Sequence, residues 1–162
     1  MTAVAVTRSA VFAAAALLSA GAAPAGAARE AAVHGKAGGS FEVTLTPQAQ
    51  TADAPGGRMT LRKSFAGDLS GSASGEMLTA GSGQSSGAYV AIERVTGRLA
   101  GREGSFFLVH RGIMNRGRPE LAISVVPGSG TGGLVGLSGT MAIRIEGGLH
   151  FYTFDYDLPA RD

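Results

Sequence analysis

The chain contains no cysteine and no tryptophan, and charged residues make up only 16% of it. Without cysteine there is no disulfide framework, no thiolate metal site and no lipid anchor attached through a modified Cys. An oxidising compartment is tolerated rather than exploited. The formal net charge is +2, and the basic residues stand singly among acids. A nucleic-acid binder gathers Lys and Arg on one face or helix, so no nucleic-acid partner is expected. After the N-terminal region, no apolar run approaches the ~20 residues that a membrane-spanning helix needs.

What the chain has in abundance is glycine, 26 of 162 residues, within a composition that is 44% hydrophobic. Disorder would call for fewer apolar residues and more net charge. Frequent glycine among short apolar runs suits a chain that turns often and pairs strands. The length is that of one domain once a targeting segment is set aside.

Met1–Ala27 reads as a secretory signal peptide. Arg8 supplies a sparse positive start, Ser9–Ala20 is an apolar run too short to span a bilayer, and Ala25-Gly26-Ala27 offers small residues for cleavage. The expected location is therefore secreted, periplasmic or cell-envelope, with no stable membrane span after removal of the leader. Residues 28–39 lack periodicity and are expected to form a flexible linker that includes His34, leaving 40–162 as the folded domain.

From Ser40 onward, apolar and polar residues alternate in short runs punctuated by glycine, which is the strand pattern. Phe41, Val43 and Leu45 alternate with Glu42, Thr44 and Thr46, and Met59, Leu61 and Phe65 share the next such face. A weaker run covers Gly75–Ala80. Tyr89–Thr96 follows, then Leu99 between glycine turns at Gly97 and Gly104. Ser105–Met114 is apolar on both faces, Asn115-Arg116-Gly117 signals a hairpin, and Glu120–Val126 is the next strand. Thr140–Glu146 and a final strand, joined by Gly147-Gly148, complete the set. In that last strand His150, Tyr152, Phe154, Tyr156 and Leu158 share a face. The pattern predicts an all-β protein, a single eight-stranded antiparallel β-barrel, because closing the ring removes exposed edges. A two-sheet sandwich has the same local signature.

Two motifs match a pattern and fail on context. Gly128–Gly133 satisfies G-x-G-x-x-G, but further glycines and a strand follow where a dinucleotide site needs a helix. Gly83–Gly87 satisfies G-x-S-x-G, yet a strand follows where a nucleophile elbow needs a helix, so Ser85 is a loop serine. The histidines His34, His110 and His150 lack the spacing of a metal pair, and no metal or cofactor is expected.

Tyr89–Gly97, Gly104-Ser105-Phe106, the His110–Gly117 hairpin, Val125-Val126-Pro127 with Gly130-Thr131-Gly132, Leu137–Met141 and Gly147–Tyr152 together resemble an uncharacterised bacterial family, a domain of unknown function. The resemblance runs from Ser40 to Pro159 and implies an allene oxide cyclase-like barrel, the fold also used by dirigent proteins. It implies no activity, because fold does not carry chemistry.

Glu93 is the leading candidate residue. If its side chain shares the face of Tyr89, Ala91 and Val95, it is a carboxylate inside an apolar barrel, able to act as acid or base or to orient a ligand. If Val90 and Ile92 face inward instead, it is solvated and paired with an arginine. His110 shares a face with Phe106 and Leu108 and reads either as a ligand contact or as a satisfied core histidine. Tyr89, His150, Tyr152 and Tyr156 complete the candidate set, the tyrosines on the last strand being core filler first. Three functions compete: a barrel holding a small apolar ligand, a cofactor-independent isomerase or cyclase, and a homo-oligomeric interaction module built on the doubly apolar Ser105–Met114 strand. N-terminal sequencing of protein recovered from the medium or periplasm is expected to begin at Ala28; a start at Met1 would refute the leader.

Overall fold

The computed structural model describes residues 32–51, 53–54, 56–81 and 85–160, so the expected signal peptide lies outside the described residues. Eight strands follow in order: β1 (Ala32–Pro47), β2 (Gly57–Gly67), β3 (Leu69–Gly81), β4 (Gly87–Leu99), β5 (Arg102–Asn115), β6 (Arg118–Val125), β7 (Ser138–Glu146) and β8 (Leu149–Pro159). Each pairs antiparallel with its successor, and β8 returns to pair with β1. The expected eight-stranded antiparallel barrel forms, and it is closed.

Turn chemistry sets the register. Arg116-Gly117 and Gly147-Gly148 carry positive φ at both positions, as does Ala100-Gly101. This two-residue geometry has a twist that matches the flanking strands. The turn near Leu99 is therefore narrower than the sequence suggests. Gly97 and Gly104 lie within β4 and β5 and face each other in register. The weak run at Gly75–Ala80 likewise belongs to a strand that starts at Leu69. Serines and glycines fill its first half, so alternation is hard to see there.

One boundary needs correction. Residues 32–39, read as linker, are strand: β1 begins at Ala32 and pairs with β8 from Ala32–Pro159 through Phe41–His150. The reason is steric. A Cβ on Gly35 would lie 2.3 Å from the Tyr156 ring, and one on Gly39 would lie 2.7 Å from the Tyr152 hydroxyl. Large rings on β8 demand small residues on β1, which erases the apolar signature of that strand.

An antiparallel meander places alternate connections at the same end. The turns at 100–101 and 68, with the segment 126–137, lie at one end, and the turns at 116–117 and 147–148 lie at the other. The first end is closed. Segment 126–137 makes a 3₁₀ turn at Gly132–Leu134 and carries Leu134 and Leu137 into a core with Leu69, Leu99, Phe106 and Phe154. At the other end the inward-facing positions open to solvent, with Leu121 43% and Ile145 64% exposed against 0% for Leu69 and Leu99.

Tyr152 ties the closed end together. Its buried hydroxyl accepts from the Leu69 N–H at 2.8 Å and donates to the Leu69 carbonyl at 3.1 Å. Tyr152→Phe strands both backbone groups and is expected to cost about 1–3 kcal/mol, read as a melting point several degrees lower. An unchanged melting curve would show that these bonds contribute nothing.

Candidate functional site

Alternation puts Lys63 on β2, Glu93 on β4 and His110 on β5 inside the barrel, where all three are buried and Glu93 is 0% exposed. Of the two orientations open for Glu93, the inward one is realised. Strand β3 separates Lys63 from Glu93, and it presents Ala73 opposite Lys63 and Gly75 opposite Glu93. A Cβ on Gly75 would come within 2.8 Å of the Glu93 Cβ, so glycine leaves the carboxylate its place. Across this gap the Lys63 ammonium donates to Glu93 Oε1 at 2.8 Å. His110 Nε2 lies 2.8 Å from the same oxygen.

Burial pushes the Glu93 carboxyl upward, but the His110 hydrogen bond, the Lys63 charge and hydrogen bond, and the His110 charge together hold it below the ordinary carboxylate value. It is ionised at neutral pH. Lys63 also sits 5.0 Å from the Phe41 ring centroid and 5.9 Å from that of Phe65, facing their π-systems. Glu93 Oε2, by contrast, is buried with no hydrogen-bond partner among the described residues. An ionised group left half-satisfied in an apolar interior costs free energy. Such groups concentrate where a protein binds or reacts.

Tyr89 stands on the same face as Glu93, nearer the open end. Its half-buried ring crosses Gly112, where a Cβ would fall 2.0 Å away. Burial, then the Glu93 charge, push its phenol above the usual value, so it remains a neutral donor. Tyr89 lines a cavity of about 490 Å³ at the open end, with Thr79, Gly112, Met114 and Leu121. His150 is half-buried, its ring 5.1 Å from that of Phe41.

The structure thus gathers Glu93, His110 and Tyr89, with His150 one ring away across Phe41. Tyr152 and Tyr156 stand apart. Tyr152 spends its hydroxyl on Leu69, and burial first, with Leu69 opposing and Asp68 adding, pushes its phenol up. Tyr156 packs 5.5 Å from Phe154 over Gly35, near the closed end. The residue the sequence reading missed is Lys63. The signal was available, since period-two alternation places it between Leu61 and Phe65 on the apolar face. Of the failed motifs, Gly128–Gly133 is the connection between β6 and β7, with β7 following it. Gly83 and Gln84 lie outside the described residues, while the Ser85 carbonyl accepts from the Gly117 N–H at 2.9 Å. His34 is exposed on β1, its Nδ1 3.1 Å from Asp157.

A family model described as a protein of unknown function (DUF3224) matches residues 37–156. A solved structure of a protein with unknown function from that family, from Shewanella oneidensis MR-1, is 47% identical. The match covers 80% of this chain and 100% of that one, with a TM-score of 0.72. No curated protein matches the chain.

Glu93→Gln removes the counter-charge of a buried lysine and is expected to destabilise the barrel by about 3–5 kcal/mol. The wild-type contribution of Glu93, whose folded pKa is depressed, is fully present above about 4.5 and lost as pH falls through the lower folded value. Urea midpoints measured from neutral to acidic pH should therefore converge for wild type and variant at low pH. A gap that stays constant would refute an ionised Glu93.

Proposed function

This chain belongs to the DUF3224 family, whose function is unknown, and we propose that it is an exported barrel that binds a small, mainly apolar molecule at its open end. The observation that carries this reading is the buried Glu93–Lys63–His110 cluster, with one carboxylate oxygen unpartnered, set in an apolar interior. Ligand pockets are commonly apolar with a few placed polar groups, and an eight-stranded barrel has room for one small ligand. Tyr89 links the two parts, lining the open-end cavity while feeling the charge of Glu93. The N-terminal pattern of Arg8, Ser9–Ala20 and Ala25-Gly26-Ala27 supports export. The expected likeness to allene oxide cyclase concerns a fold and brings no chemistry with it.

A second reading, a cofactor-independent isomerase or cyclase, is favoured by one contact. A carboxylate 2.8 Å from His110 Nε2 can orient the imidazole and leave Nδ1 for proton transfer. Native mass spectrometry of the gently purified protein, followed by organic extraction, tests both. A defined molecule of the same identity from wild type and His110→Asn is expected for a binding barrel. Different molecules from the two would select the enzyme. A clean unliganded mass, together with failure to bind the apolar dye N-phenyl-1-naphthylamine, would refute both.

A further inference from the structure

We propose that the outer wall formed by β3, β4 and β5 docks on an anionic lipid surface. Strand register places Leu78 beside Val90, Ile92 beside Val109 and Arg94 beside Phe107 on the outward face. Leu78, Val90 and Ile92 are 56%, 52% and 54% exposed, and Phe107 and Val109 are 37% exposed. Among the described residues, the other exposed large apolar side chains lie near strand ends or in loops, so this island on the wall stands out from its surroundings. Contiguous exposed apolar area of this kind marks an interaction surface.

The border of the island names the partner's charge. Register brings Arg58 beside Leu78, Arg111 beside Val90 and Arg62 beside Ser74, with Arg94 in the same row as Arg62. Against these four cations stand Glu76, which Arg58 already holds at 2.7 Å, and, one strand further out on either side, Glu42 and Glu120, each diagonal in register to an arginine it does not pair with among the described residues. Arg62 and Arg111 are exposed and make no ion pair among the described residues. Two such faces packed together would set arginines against arginines, which argues against a second copy. A bilayer containing acidic phospholipid supplies both requirements, phosphates for the guanidiniums and an acyl boundary for the aliphatic side chains. It also yields to the convex wall of a barrel without needing a matching shape.

The test uses Ala28–Asp162, the chain expected after removal of the leader; a match covering 80% of this chain spans the whole of the Shewanella relative. Co-sedimentation with vesicles of equal phosphatidylglycerol and phosphatidylcholine is compared with vesicles of phosphatidylcholine alone. Binding to the acidic vesicles is expected to be at least about tenfold stronger and to weaken with added salt. The double variants Val90→Glu with Ile92→Glu and Arg62→Gln with Arg111→Gln should each lose binding by at least about tenfold. Their far-ultraviolet spectra and melting curves should stay as in wild type, because all four side chains are exposed. Absence of sedimentation, or sedimentation indifferent to both variants, would overturn the proposal. So would a wild-type dimer in native mass spectrometry that Val90→Glu with Ile92→Glu converts to monomer, which would assign the face to a second copy.

Discussion

The return of β8 to β1 is the constraint on which the rest of this molecule depends. Until those strands pair, β1 and β8 are edges with unsatisfied backbone groups, and the interior is open to water along one side. Pairing requires the chain to bring segments more than a hundred residues apart into register, from Ala32–Pro159 to Phe41–His150. What makes the approach possible is a division of volume. Strand β8 contributes Tyr152, Phe154 and Tyr156, and β1 answers with Gly35, Ala37 and Gly39. Packing at interior density leaves no space for two bulky layers at that seam.

Closure also creates the dielectric setting for the polar cluster. On an open sheet Glu93 and Lys63 would be a solvated pair of little consequence. Inside a ring they are removed from water, and each requires the other. Small residues at 73 and 75 allow the two groups to meet across an intervening strand. A pair of this kind is not a device for stability, because well-packed apolar side chains would serve as well or better. That is why the half-satisfied carboxylate is the feature from which a binding function is argued.

The two faces of the same strands do different work. In β4, Tyr89, Ala91, Glu93 and Val95 point inward, and Val90, Ile92 and Arg94 point outward. A strand apolar on both faces leaves its own orientation ambiguous, and this strand is close to that case. The ambiguity is resolved by its neighbours: Leu108 on β5 and Gly75 on β3 lie opposite Glu93 in register. The outward set then becomes an exposed apolar island rather than a second core.

By itself the sequence determined the class of the fold, because period-two alternation and glycine-rich turns are local properties that each segment carries alone. The hairpins at Arg116-Gly117 and Gly147-Gly148 and the inward face of β8 were legible for the same reason. Strand β1 was not, since its small residues have meaning only beneath the rings of β8. The site was half legible. Glu93, His110 and Tyr89 drew notice as polar residues on apolar faces, but alternation has two phases and cannot choose between them without a neighbouring strand. Tertiary structure alone chose the phase, brought Lys63 to Glu93 across thirty residues, and assigned Tyr152 to Leu69. Contacts between distant strands depend on register and closure, and no local pattern encodes either.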